Sequence, residues 1–272
     1  MNMKHATHSL LVALDASPRC VQRLRFGRDL AALLDADLCG MAVLEPRFEP
    51  LPLPTRDGVP SVPLLAEVDP QQMRRVRGQV ERAGVPLRWI EPGPEPGGAA
   101  LARRALCADW LLLGQHDAAD ATTHDVRADL VEAAVIGSGR PAFVLPCAGT
   151  SHAVFETIVV GWKATREAAR ALAAALPLLR AAKRVHVLGP APDLEVDALR
   201  AHLRRHGVEP RFETFEPAPA LAGELLLSRA GQLGADLLVM GCYGHGRLRE
   251  LALGGATRGV LRAMTLPVLM AH

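Results

Sequence analysis

Leu237-Leu238-Val239-Met240-Gly241-Cys242-Tyr243-Gly244-His245-Gly246 is the stretch on which the fold turns. Its first residues are apolar without a polar interruption. A strand with one face in water would alternate, so this run suits a parallel strand covered on both faces. Glycines follow directly, marking a turn where another backbone or a bound group can come close. Trp110-Leu111-Leu112-Leu113-Gly114 reads the same way. The chain therefore has the look of one unit used twice.

Moving outward from these runs, the two copies line up. Leu10-Leu11-Val12-Ala13-Leu14-Asp15-Ala16-Ser17 opens the first, and Thr157-Ile158-Val159-Val160-Gly161-Trp162-Lys163-Ala164-Thr165 opens the second. Each leads into an Ala- and Leu-rich helical pattern, over about 19–34 in one and 166–179 in the other. Each copy closes alike, with Pro141-Ala142-Phe143-Val144-Leu145-Pro146 and Leu266-Pro267-Val268-Leu269-Met270. The small-residue stretch from Cys147 to His152 reads as a linker, giving domains over 1–147 and 153–272. Strands are expected near 9–14, 37–44, 86–90, 109–113 and 141–145, then near 156–161, 184–188, 210–214, 235–240 and 266–270. Strands alternating with helical segments imply right-handed βαβ crossovers. The fold class is α/β, with two tandem doubly wound five-stranded parallel sheets of Rossmann-like type. The Pro-rich segment from Glu45 to Pro63 lacks periodicity and reads as a surface loop.

Composition agrees and narrows the function. The 272 residues are 49% hydrophobic and 22% charged, enough apolar side chain for two cores. Five cysteines stand without CxxC spacing, which suits a reducing cytoplasm and gives no zinc ribbon or redox pair. The net charge of +2 comes from interspersed acids and bases, so neither a nucleic-acid nor a membrane partner is expected. No signal-peptide pattern or membrane span is evident, and a cytoplasmic location is expected.

In an open parallel sheet, ligands bind beyond the carboxyl ends of the strands where strand order reverses. In the second half the run Leu237–Met240 leads into Gly241, two residues, Gly244, nine residues, Gly254. A helical pattern then starts at Gly255-Ala256-Thr257, with apolar Val260, Leu261 and Met264. Its free N–H groups and positive dipole end would face the same cleft, a favourable place for an anion. No Gly-Lys-Ser/Thr occurs, so this is not a Walker A loop, and Gly244-x-Gly246 is not a dinucleotide fingerprint.

The tandem halves, Val12–Ser17, Val160-Gly161-Trp162 and the Gly-x2-Gly-x9-Gly loop together resemble a two-domain universal stress protein. The resemblance implies an adenine nucleotide α-hydrolase-like fold in each half and pairing of the halves through their last strands. In nucleotide-binding members it implies ATP or a related adenine nucleotide held by this loop, without enzymatic chemistry, in a stress response. Carried over by position, Gly241, Gly244, Gly254, Gly255, Ala256 and Thr257 would line the phosphates. Lys163 stands where the family Asp would reach the nucleoside, and Val187 is the candidate to meet the base.

Departures from that pattern divide the halves. In the second, Gly255 replaces a Ser or Thr, and Lys163 replaces a carboxylate by a donor-only cation. The first half keeps Asp15, but Gly114-Gln115-His116-Asp117 lacks the second glycine, and Asp129 puts a negative charge where phosphate would lie. That half reads as a structural partner. Ser17 and Thr165 fall where a helix needs an N-cap, which is their expected role. Cys107 and Cys147 read as small buried side chains, and most of the histidines as solvent-facing. Cys242 and His245 lack a second pair for zinc. The competing readings are a nucleotide-free scaffold of the same fold and, last, a hydrolase borrowing the sheet. A homodimer, or the two domains pairing within one chain, would satisfy the family interface.

Overall fold

The computed structural model describes residues 6–50, 64–93, 95–150, 152–191, 195–215, 221–242 and 255–272. In the first half the elements run β1 (His8–Leu14), α1 (Arg19–Leu34), β2 (Ala36–Ala42), β3 (Arg47–Pro50), β4 (Leu64–Glu67), α2 (Pro70–Ala83) and β5 (Arg88–Ile90). They continue with α3 (Gly97–Ala105), β6 (Trp110–Gly114), α4 (Leu130–Ser138) and β7 (Ala142–Leu145). The second half has β8 (Thr157–Gly161), α5 (Arg166–Ala181), β9 (Arg184–Gly189), α6 (Val196–Arg205) and β10 (Pro210–Thr214). It ends with α7 (Ala222–Gln232), β11 (Leu237–Gly241), α8 (Gly255–Ala263) and β12 (Val268–Ala271).

Ten strands form one sheet in the order β10-β9-β8-β11-β12-β7-β6-β1-β2-β5. All neighbours are parallel except β7 and β12, which are antiparallel and join the halves. In that pair Phe143 faces Leu269, so the residue two after Pro141 meets the residue two after Pro267. The repeat is thus related to itself by a dyad through this pair, and the intramolecular pairing through last strands is what the structure shows.

The apolar runs are buried as their lack of alternation requires. Leu111, Leu112, Leu113, Leu237, Leu238 and Val239 are all 0% exposed. Side chains on one face of the sheet pack under α1, α2, α5 and α6. Those on the other face pack under α3, α4, α7 and α8. Contacts across the dyad add to the strand pairing. The Trp110 indole N–H donates to the Ala174 carbonyl at 3.3 Å, and Phe26 meets Phe155 edge to face at 6.0 Å. The Gln115 amide donates to the Leu261 carbonyl at 2.8 Å and accepts from the Cys147 N–H at 2.7 Å.

One expectation needs correction. The segment from Glu45 to Pro63 is not wholly a loop, because Arg47–Pro50 pairs antiparallel with Leu64–Glu67 as a separate two-stranded ribbon. Each strand is only four residues long, and Pro50 is the last residue of β3, a position at which a strand tolerates proline.

Candidate functional site

Strand order reverses between β1 and β6 in the first half and between β8 and β11 in the second. The loop after the first strand of each half leads to one helical layer and the loop after the fourth leads to the other. Each half therefore has a crevice at the carboxyl ends of these strands. Sheet register makes the two crevices comparable residue by residue. Leu10 pairs with Trp110 and Val12 with Leu112, as Ile158 pairs with Leu237 and Val160 with Val239. Counting onward, Asp15 corresponds to Lys163, Ser17 to Thr165, Arg19 to Glu167 and Arg23 to Ala171. Gly114 corresponds to Gly241.

The first crevice is filled by its own chain. Asp15 and Arg23 are 7% and 4% exposed, and the Arg23 Nη2 donates to Asp15 Oδ2 at 2.5 Å. Arg23 Nε also donates to the Ala13 carbonyl at 2.8 Å. The other carboxylate oxygen accepts from the Ser17 N–H at 2.9 Å and the Ser17 hydroxyl at 2.6 Å. Burial is the strongest influence on the Arg23 guanidinium and depresses it, but the Asp15 charge, the Cys20 thiol and the hydrogen bonds to both together raise it above its ordinary value. Both side chains of the pair are held by hydrogen bonds. Gly114 makes room for it, because a Cβ there would lie 2.3 Å from Arg23 Nη1. What remains open is a cavity of about 40 Å³, on the scale of water.

The rim of that crevice is also self-neutralised. Arg19 bridges Asp117 at 2.9 Å and Asp120 at 2.5 Å. The Ala119 N–H and then Arg19 hold Asp117 below the usual carboxylate range. Asp129 stands at the N-cap of α4 and is gripped by Arg127 through bonds of 2.7 and 2.6 Å, which lower it. The negative charge anticipated there is present, with an arginine beside it.

The second crevice keeps the backbone frame and changes the side chains. Lys163 is exposed, and no carboxylate pairs with it among the described residues. Ala171 is fully buried where Arg23 stands in the first half. Thr165 caps α5, its hydroxyl accepting from the Ala168 N–H at 3.3 Å. Glu167 is 4% exposed. Burial pushes its carboxyl up, yet its own N–H, the Thr165 hydroxyl and nearby cations hold it below its ordinary range. Gly241 ends β11, and a Cβ there would sit 2.5 Å from the Ala168 nitrogen. The glycine is needed for close approach of α5, which brings the amino end of that helix against the strand. Gly255 begins α8 and is exposed, Ala256 is partly exposed, and Thr257 is only 3% exposed. Gly244 and Gly254 lie outside the described residues.

Several expectations change. Val187 is not beyond the second strand. It lies inside β9, between Val160 and Phe212, and is 0% exposed, so its side chain serves the core. Ser17 does not cap α1, because its hydroxyl is donated to Asp15 and Pro18 holds the cap position without a side-chain bond. Cys107 is exposed and Cys147 half-buried. His186 is 6% exposed and bonds Glu213 at 3.1 Å. Burial raises the Cys20 thiol to about 11 and the Cys242 thiol to about 12, too high for a nucleophile at neutral pH. Arg23 and Arg19 were overlooked. The available signal was an arginine beside Leu24 on the apolar stripe of α1, downstream of Asp15. Among the described residues, no group of three or more His, Cys, Asp or Glu is placed to hold a metal. No described helix is long and apolar enough to cross a membrane.

These features define a tandem, doubly wound α/β protein whose halves share a sheet across a dyad and carry unlike crevices. Residues 221–272, from α7 to the end of β12, match the model of the Universal stress protein family. A universal stress protein from Archaeoglobus fulgidus superposes with a TM-score of 0.65 at 16% identity, covering 98% of this chain and 97% of that one. A protein of unknown function from Pseudomonas aeruginosa superposes with a TM-score of 0.55 at 14% identity, covering 97% of this chain and 92% of that one. No curated protein matches in sequence. Residues 221–272 thus match the sequence model of the universal stress protein family, and the whole chain shares the tandem fold of the Archaeoglobus fulgidus protein.

Proposed function

We propose that this chain is a non-enzymatic adenine-nucleotide-binding protein of the stress response, with its working site in the second crevice. The carrying observation is the exchange of the buried Asp15–Arg23 pair for Lys163 and Ala171. In the first half a guanidinium occupies the space a ligand would need. In the second, among the described residues, no guanidinium takes that space, and a lysine replaces the carboxylate. The glycine spacing from Gly241 to Gly254 and the start of α8 at Gly255 support an anionic ligand such as ATP.

Titration calorimetry with ATP tests this reading. Heat with saturation below millimolar ATP is expected from the native chain, and none from Gly254→Asp, which places a carboxylate against the phosphates. The absence of heat from the native chain at millimolar ATP would leave the nucleotide-free scaffold, which the self-filled first crevice favours.

A further inference from the structure

The near-neutral net charge conceals a strong segregation. In the helical layer formed by α1, α2, α5 and α6, the first two helices carry four arginines each and the last two carry three each. Against them stands one carboxylate per helix: Asp29, Glu81, Glu167 and Asp197. The opposite layer holds five arginines (Arg103, Arg104, Arg229, Arg258, Arg262) and two glutamates (Glu132, Glu224). The balancing acids lie mostly in loops and strand ends.

Part of the first layer's charge is already used. Arg19, Arg23, Arg28, Arg77, Arg166 and Arg204 are each paired with a carboxylate. Arg170 and Arg180 donate to the main-chain oxygens of His272 and His206. Arg25, Arg74, Arg75, Arg82, Arg200 and Arg205 form no salt bridge with a carboxylate among the described residues, although Arg200 is close enough to Glu209 to help Arg204 lower it. Five of the six are exposed, and Arg200 is half-buried over the Phe212 ring at 5.1 Å. They form one group on the packed pair α1–α2 and another on α6, toward opposite ends of the sheet.

We propose that this helical layer is a docking face for the phosphate backbone of nucleic acid, bound without base specificity. Every cation in these four helices is a guanidinium, whose planar fork matches phosphate oxygens in pairs. Strands about 4.8 Å apart make a ten-stranded sheet roughly 43 Å across, so the two groups suit a long polyanion better than a single small one. A membrane surface would call for apolar side chains to insert beside the charge. Here Leu33 is the exposed large hydrophobic residue of the layer, whereas Ile136 and Leu225 belong to the opposite one.

Fluorescence anisotropy with labelled RNA and DNA oligomers at 50 and 200 mM salt tests the proposal. Binding should weaken steeply between the two salts, as counterion release requires. The double variant R74E/R75E should lose about tenfold in affinity and flatten the salt dependence, and R200E/R205E should behave similarly. The charge-matched R103E/R104E, on the opposite layer, should change affinity less than twofold, with thermal melts confirming that all three fold. No binding at 50 mM salt, equal losses from all three doubles, or binding to phosphatidylserine vesicles but not to oligomers would each overturn it. Calorimetry with ATP is independent of these outcomes, so the crevice and the docking face stand or fall separately.

Discussion

The two crevices share a backbone and oppose each other in charge. Where the first has Asp15 and Arg19, the second has Lys163 and Glu167, and where the first buries Arg23, the second buries Ala171. The first crevice supplies its own cation, from α1, and closes over it. In the second the corresponding residue is a methyl group, and the cation sits exposed at the mouth. A duplicated frame can thus bury an ion pair in one half and drop it from the other, through a few side chains and no change of topology.

The largest effect should come from opening the closed half. Arg23→Ala leaves the Asp15 carboxylate buried and unpaired, at a cost of about 3–5 kcal/mol in urea unfolding. A loss below about 1 kcal/mol would show that the pair is not integral to the first half. Transplanting the plug is the reciprocal change. Ala171→Arg alone should destabilise by overfilling a buried site beside Lys163 without the carboxylate that Asp15 supplies to Arg23. The double change K163D/A171R rebuilds the first-half pair and should recover most of that stability, while abolishing any ATP heat. Heat surviving in the double variant would mean the second crevice does not use this space.

A smaller effect is expected at Gly241, where Gly241→Ala forces a Cβ against the α5 backbone. Overpacking of that kind costs about 1–3 kcal/mol, measurable as a shift in urea midpoint. Acid should bring the mildest change. Asp129 and Glu167 are both held below their ordinary values, one by Arg127 and the other by main-chain and hydroxyl donors that overcome its burial. Groups so depressed contribute fully above their unfolded values, near 4, and lose that contribution as pH falls through the folded ones. The urea midpoint should therefore be flat from about pH 7 to 5 and decline below about 4. A midpoint that rose on acidification would contradict these assignments.

Much of the architecture could be read directly. Leu237–Met240 and Trp110–Leu113 announced buried parallel strands because both faces of each are apolar. The helix over Arg19–Leu34 was visible from its periodicity. The β3–β4 ribbon was not, because each strand is only four residues long and Pro50 ends the first, too short a run for alternation to show. Val187 was carried over from the family resemblance although it falls inside the strand expected over 184–188, and its burial in β9 shows that its side chain serves the core.

Sequence by itself determined the duplication, the class of fold, and the glycine spacing that marks the second crevice as different. These are local or periodic properties, and periodicity survives being read along a line. Only the tertiary structure decided that Arg23 closes the first crevice, that Asp15 corresponds to Lys163 by sheet register, and that arginines gather on one helical layer. Charge pairing and charge segregation depend on which residues packing brings together, and a chain with a net charge of +2 gives no hint of either.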